Sequence, residues 1–182
     1  MLKNIFTSKV RIDILRLFVE NPNQEFYIRE LTRLLDVQIN AIRRELDNLK
    51  QIGLFTSSEK NRKKFYKIND KFIFFDEIKR IIFKSDENCI QIYEKLKDIE
   101  PIYKITLIGQ FINLDTPIDM LVVSDLESQN VISFIDSIVN FNVKITVLTK
   151  EDYLYRRSIN DKFLSAIEEI PDRLEIISKI DL

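Results

Sequence analysis

Two short stretches of this chain concentrate amide, guanidinium and ammonium side chains. The candidate residues are Gln38, Asn40, Ala41, Arg43, Arg44 and Asn48, followed by Lys60, Arg62, Lys63 and Lys64. Arginine and asparagine form paired hydrogen bonds with the edges of guanine and adenine, and basic side chains neutralise phosphates. The chemistry available to these residues is contact with double-stranded DNA, provided that the fold presents both stretches on one surface.

Two predicted helices position the first stretch. A helix over 27–36 has its apolar residues at helical spacing, and a second helix over 38–52 repeats the pattern. The two apolar stripes are Ile28, Leu31, Leu34 and Leu35, and Ile39, Ile42, Leu46 and Leu49. Because the connection between the helices is so short, they must cross steeply, which leaves the far face of the second helix exposed.

The second stretch follows a predicted helix end. Gly53 stands where a left-handed residue commonly ends a helix, and residues 54–56 have the composition of a strand. Residues 57–62 form the polar tip of a predicted hairpin, and residues 63–68 form its return strand.

Three segments of this region carry a family resemblance: ELTRLL at 30–35, IRREL at 42–46 and LKQIGL at 49–54. Over residues 8–68 the chain resembles the winged-helix core of small prokaryotic transcription regulators of the ArsR and MarR type. The resemblance implies a winged helix-turn-helix domain over 1–70 that places its second helix in the major groove. Winged helices also serve as protein-contact modules, which is the alternative.

Charge divides the chain into two halves. Up to Ser85 there are 18 Lys and Arg against 11 Asp and Glu, a net of +7; the remainder has 10 against 18, a net of −8. Phosphate contact requires a basic front half only, and an acidic partner domain is repelled from a duplex. The simpler alternative is that the lysines are scattered without function.

The residue types that are missing exclude several chemistries. The chain has no histidine, and its one cysteine, Cys89, cannot form a disulfide within the chain. We therefore expect no zinc site, no redox sensing, no cofactor and an inert buried thiol. No apolar run approaches the roughly 20 residues that span a bilayer, so we expect a cytoplasmic protein without membrane contact.

Residues 71–101 form a predicted helical linker that is more apolar than a surface helix requires. Phe74, Phe75, Ile78, Ile81 and Ile82 make a broad stripe. This stripe either forms the contact of a homodimer or packs within the chain.

The remaining residues, 102–182, alternate between strand and helix patterns, which predicts a small α/β domain with a mixed sheet. Strands are predicted over 103–108, 118–123 and 143–149, and the last helix is predicted to stop at Pro171. The fold class of the whole chain is therefore α+β.

This half resembles the minimal nucleotidyltransferase domain, which is often fused behind a winged helix. The family has a Gly-Ser turn and then an Asp-x-Asp pair, and here Gly109 and Asp119 match the glycine and the second acid. Gln110 replaces the serine and Pro117 replaces the first acid. Two carboxylates are needed to hold the catalytic metal ions, so we expect no metal site and no transferase activity.

The expected role of the second domain is effector sensing or assembly. Gly109, Gln110, Asp115 and Asp119 are candidates for a retained ligand cleft that takes a small molecule, with a solvated loop as the alternative. The sequence therefore predicts a dimeric, sequence-specific DNA-binding regulator without catalytic residues. The rival hypotheses are a working minimal nucleotidyltransferase and an antitoxin-type protein-interaction module.

Overall fold

A computed structural model describes Leu2 and residues 6–180. The chain divides into two compact units, Met1–Ile82 and Phe83–Leu182, each with its own sheet. The ends of the predicted terminal domains, residues 1, 3–5 and 181–182, lie outside the described residues. The α+β class predicted from the sequence is confirmed.

The first unit contains the elements of a winged helix-turn-helix. In chain order they are α1 (Lys9–Glu20), β1 (Phe26–Tyr27), α2 (Ile28–Leu35), α3 (Ile39–Gln51), β2 (Phe55–Lys60) and β3 (Lys63–Ile68). The strands form an antiparallel sheet in the order β1-β3-β2. The wing consists of β2, β3 and the two-residue turn between them.

Aromatic and aliphatic side chains form the core of this unit. The Phe18 ring of α1 meets Phe26 and Phe55 edge-on, with ring centroids 5.1 and 4.6 Å apart. Leu31 of α2 and Ile42 of α3 are fully buried. The helices therefore pack their apolar faces on one side of the small sheet.

Gly53 follows the end of α3, as predicted. Its φ of 87° is left-handed, and α3 stops two residues earlier. The side chain of Asn69 donates a hydrogen bond to the carbonyl of Gly53 at 2.9 Å, which joins the helix end to the residue after β3.

Two details of the first unit differ from the sequence prediction. Leu34 is 56% exposed and Ile39 is 37% exposed, so neither belongs to the buried stripe. The strand β2 extends to Lys60, which reduces the predicted six-residue tip to Asn61 and Arg62. Strand pairing continues to the turn because both turn residues adopt positive φ.

The segment predicted as a helical linker forms α4 (Phe75–Lys84) and α5 (Glu87–Leu96). The boundary between the units lies within α4, after Ile82. Of the predicted stripe, Phe75 and Ile82 are buried, whereas Phe74 is 57% and Ile81 is 41% exposed. The structure therefore buries only part of the apolar face.

Cys89 lies on α5 and is buried, as expected for an inert thiol. Burial, with a smaller contribution from Asp86, raises the pKa of this thiol to about 12. The reactive thiolate is therefore scarce at neutral pH.

The second unit is built on a mixed sheet, as predicted, but the sheet has four strands and the sequence predicted three. Its remaining elements are β4 (Ile102–Leu107), a 3-10 helix (Gly109–Ile112), β5 (Met120–Ser124), α6 (Ser128–Asp136), β6 (Ile145–Leu148), α7 (Lys150–Ser158), α8 (Lys162–Glu168) and β7 (Leu174–Ser178). The strand order is β6-β5-β4-β7, with only β5 and β6 parallel. Every residue of β5 is buried, and α7 packs against it.

The sequence prediction did not include β7. This strand pairs antiparallel with β4 and matches Leu174 with Leu107.

None of the helices among the described residues has the length and apolar character that a membrane crossing requires.

An ion pair between Arg11 and Glu45 joins α1 to α3, and we predict that its loss destabilises the first unit. The Glu45 side chain is 3% exposed, and the Arg11 Nε donates to its Oε2 at 2.9 Å. Because the Arg11 side chain keeps 30% of its surface in water, Arg11→Ala is expected to lower the free energy of unfolding by about 2 kcal/mol, below the range for a fully buried pair. Urea unfolding at neutral pH measures this change.

The matched control is the double variant Arg11→Met, Glu45→Leu, which removes both charges together. It is expected to recover most of the lost stability, because no uncompensated charge remains buried. If Arg11→Ala and the double variant unfold at the same urea concentration, unpaired charge is not the cause of the loss.

Candidate nucleic-acid interface

The exposed face of α3 carries the residues that the sequence assigned to base contact. Asn40, Arg43, Arg44 and Asn48 are exposed, Gln38 is the exposed N-cap residue, and Ala41 is half-buried. The opposite face buries Ile42, Leu46 and Leu49. Since the buried residues recur every three or four positions, the polar residues share the opposite side of the helix.

Arg44 projects from this face next to a buried carboxylate. Its side chain is 70% exposed, and one guanidinium nitrogen lies 3.7 Å from Glu45 Oε1. The other oxygen of Glu45 binds Arg11. The guanidinium of Arg44 therefore lies near Glu45 while most of the side chain is exposed.

The tip of the wing has an unusual backbone for its sequence. Lys60 pairs with Lys63, and the two residues between them, Asn61 and Arg62, have φ values of 51° and 59°. Two-residue turns of this kind favour Asn-Gly, since glycine adopts positive φ without strain. An arginine in the second position costs conformational energy and projects a positive charge from the tip.

The basic side chains of the wing have different partners. Lys60 forms an ion pair with Glu25, and the Lys63 Nζ lies 4.7 Å from the centre of the Tyr27 ring. A hydrogen bond with Tyr66 raises the pKa of Lys64, and the carboxylates of Asp47 and Glu59 act in the same direction. Lys64 is therefore fully charged at neutral pH.

A groove joins the wing to the starts of α2 and α3. It comprises two adjoining hollows of about 550 and 420 Å³ that share Tyr27, Arg29 and Ile39. We call it the basic groove; its basic lining residues are Arg29, Arg33, Arg43, Arg62, Lys63 and Lys64. Acidic residues are absent from the lining that the structure describes.

Seven lining residues were not among those that the sequence assigned to the interface, and three of them, Tyr27, Arg29 and Arg33, carry the aromatic ring and the charges among the seven. The two arginines lie four residues apart on α2, so they share one helix face. That spacing was a visible signal. The contribution of Tyr27 was not visible, because its partners Lys63 and Phe65 lie on the wing.

In the second unit, the structure brings Gly109, Gln110 and Asp119 together. Gly109 has a φ of 57°, and a Cβ at this position would collide with the Asp119 carboxylate and lie 2.7 Å from Thr116 Oγ1. Only glycine fits so close an approach. Asp115 is exposed on the intervening loop, and the predicted ligand cleft of these four residues stays a prediction.

The Asp119 carboxylate is buried and occupied by internal hydrogen bonds. It is 2% exposed, and it accepts from the backbone N–H of Gln110 and of Lys144, both at 2.9 Å, and from Gln110 Nε2 at 3.1 Å. Burial alone would raise the pKa of Asp119, but these hydrogen bonds outweigh it and lower the pKa below 3.8. The carboxylate therefore fixes the turn after β4 to the strands on either side.

Among the described residues, no group of three or more Cys, Asp and Glu side chains is placed to hold a metal ion. Pro117, which replaces the first acid of the family pair, is exposed two residues before Asp119. Asp119, the one acid that matches the family pair, accepts its hydrogen bonds from Gln110 and Lys144.

Substitution of Arg62 in the turn of the wing is expected to change stability and DNA affinity in opposite directions. Arg62→Gly is expected to raise the free energy of unfolding by about 1 kcal/mol, because it relieves positive φ. The same change removes a positive charge, so affinity for duplex DNA should fall. Urea unfolding and fluorescence anisotropy with labelled duplex measure the two effects.

Asn61→Gly is the control, since asparagine tolerates positive φ and carries no charge. It should change both quantities less than Arg62→Gly does. Unchanged DNA affinity in Arg62→Gly would remove Arg62 from the interface.

Asp119→Asn is expected to destabilise the second unit by about 1–3 kcal/mol at pH 7. The reason is that an amide presents a donor to the N–H groups that now donate to the carboxylate. The folded-state pKa lies below the ordinary 3.8, so the stabilisation is complete above that value and is lost as the pH falls through the folded pKa. Urea unfolding at pH 7 and at about pH 3 should show a larger difference between wild type and Asp119→Asn at pH 7.

Comparison with known proteins gives partial similarities. No family model matches this chain, and no curated protein matches it. The similar solved structures include reduced HlyU from Vibrio cholerae N16961, with 22% identity over 44% of this chain and 77% of that chain and a TM-score of 0.35. They also include a transcriptional regulator HlyU from Vibrio vulnificus CMCP6, with 25% identity over 44% and 76% and a TM-score of 0.35. The C30AH42A mutant of Lactococcus lactis ZitR has 18% identity over 50% and 60% and a TM-score of 0.39. Each similarity covers half of this chain or less.

Proposed function

We propose that this protein is a sequence-specific DNA-binding transcriptional regulator. In this proposal α3 enters the major groove, and the wing contacts the phosphates or the adjacent minor groove. The second unit carries out effector sensing or assembly, without catalysis.

One observation carries the proposal: the tip of the wing and the starts of α2 and α3 border a groove in which every charged lining residue is basic. Six Arg and Lys residues line the basic groove, with no acid among its described lining residues. A polyanion compensates the positive charge of these side chains. A duplex is a polyanion whose grooves accept a helix beside a hairpin.

The individual side chains support distinct roles. Arg44 is 70% exposed on the helix face and is suited to guanine, and Asn40 is suited to adenine. Arg62 and Lys63 are exposed at the wing and are suited to phosphates. Lys60 is shared with Glu25, so we expect a smaller contribution from it.

For the second unit we infer a nucleotidyltransferase-like scaffold without the reaction. The support is that both Asp119 oxygens accept hydrogen bonds from the protein and that Pro117 stands in place of the first acid. These three hydrogen bonds compete with a metal ion for the lone pairs of the carboxylate.

We further infer a homodimer. Ile73, Phe74 and Ile81 are 79%, 57% and 41% exposed, and a second copy would cover apolar surface that otherwise faces water. Two copies would read two half-sites of one operator. Sedimentation of the full chain, with and without duplex, measures the oligomeric state.

The deciding experiment is a titration of the full chain against DNA fragments from around its own gene, at two salt concentrations. One fragment is expected to bind more tightly than the others, and affinity for all of them should fall at higher salt. Magnesium-dependent incorporation of labelled nucleotide that is lost in Asp119→Ala would instead favour an enzyme. A tight stoichiometric protein partner with little DNA affinity would favour the antitoxin-type role.

Substitution of Arg44 and Lys63 should separate base reading from phosphate contact. Arg44→Ala is expected to cost about 1–3 kcal/mol at the preferred fragment and to reduce the preference over other fragments. Lys63→Ala should weaken binding to all fragments alike and reduce the salt slope by about one.

Arg44→Lys is the matched control, because it keeps the charge and loses the paired hydrogen bonds. It should retain general DNA affinity and lose preference. If Arg44→Ala leaves affinity for the preferred fragment unchanged, α3 does not read it with this face.

A further inference from the structure

We propose that the basic groove holds the sugar–phosphate backbone of one DNA strand, and that Arg29 and Arg33 of α2 bind its phosphates. This inference rests on the proposed DNA-binding function. It extends the interface to a helix to which the sequence assigned no DNA contact.

The location of the groove supports this occupant. It runs between the tip of the wing and the starts of α2 and α3. When α3 lies in the major groove and the tip of the wing lies at the adjacent minor groove, the ridge between those two grooves is the backbone of one strand. That ridge must pass through the hollow that separates the two elements.

The charge of the groove also fits a phosphate chain. Within the part of the chain that the structure describes, no carboxylate forms an ion pair with Arg29, Arg33 or Arg62. Arg29 and Arg33 are exposed. Four residues advance a helix by about 6 Å, so the two guanidinium groups can reach different phosphates along one strand.

Tyr27 links the two walls of the groove. Its hydroxyl accepts a hydrogen bond from Arg33 Nη2 at 2.9 Å, and its ring lies 4.7 Å from Lys63 Nζ and meets Phe65 edge-on. Arg33 on α2 and Lys63 on the wing are thus held by one side chain. Tyr27 is a positioning residue, because fixing long side chains in advance reduces the entropy lost on binding.

The first test measures the salt dependence of DNA binding by the full chain. The probe is a fluorescein-labelled duplex of mixed sequence, about 30 base pairs long, so that phosphate contacts dominate. Arg29→Ala and Arg33→Ala are each expected to reduce the slope of log affinity against log salt by about one, and to weaken binding about 3- to 10-fold at low salt.

Arg16→Ala is the matched control. Arg16 is exposed on α1 and does not line the groove, so the substitution removes the same charge elsewhere in the same unit. It should leave the slope unchanged. Urea unfolding should show all three variants folded, because each side chain is exposed.

The second test examines Tyr27. Tyr27→Phe retains the ring and removes only the hydroxyl that holds Arg33. It should weaken binding about 2- to 5-fold with an unchanged salt slope, since no charge is lost. In the Arg33→Ala background, Tyr27→Phe should cause no further loss of affinity. A purely structural role of the hydroxyl would instead weaken binding in both backgrounds.

The inference is overturned if Arg29→Ala and Arg33→Ala behave like Arg16→Ala. In that case, a loss of preferred-fragment affinity in Arg44→Ala would still support the proposed regulator. If the wild type binds no duplex at either salt concentration, the proposed function fails as well.

Discussion

An ion pair between Arg11 and Glu45 joins α3, the helix of the proposed interface, to α1. A carboxylate that is 3% exposed is tolerated in a protein interior only when a partner compensates its charge. The partner lies on α1, so the pair acts together with the buried side chains of Ile42, Leu46 and Leu49 to fix the face that α3 turns inward. Arg44 is turned by about 100° around the helix from Glu45 and is exposed, with one guanidinium nitrogen 3.7 Å from Glu45 Oε1. The interior of the unit thus determines which side chains a duplex could meet.

The sequence predicted what local periodicity encodes. The apolar residues Ile42, Leu46 and Leu49 identified the buried side of α3 correctly, and Gly53 marked its end. Leu34 followed the same periodicity and is nevertheless exposed. Periodicity indicates which side of a helix is apolar, whereas packing decides how much of that side is covered, and at Leu34 the side chain stays in water.

The parts that the sequence did not predict depend on contacts between distant residues. Tyr27 reaches the groove because β1 pairs with β3, which places Tyr27 opposite Phe65. In the second unit, β7 joins the sheet by pairing with β4, about 70 residues earlier. The pattern Gly109…Asp119 was visible, but the sequence could not distinguish a metal-binding acid from one that accepts three protein hydrogen bonds. That difference lies in the N–H groups of Gln110 and Lys144, which any residue type supplies.

Charged side chains have different roles in the two units. In the second unit, N–H donors satisfy Asp119, so its charge is consumed by the fold and contributes a rigid turn. In the first unit, six cations line the basic groove with no carboxylate among the described lining residues, so their charge remains available to an anion. Arg62 carries one of these charges at a φ of 59°, which glycine would adopt more easily. A surface on which Tyr27 already holds Arg33 and Lys63 is expected to bind an anion more tightly than its area alone would suggest, because fewer side chains must be ordered on binding.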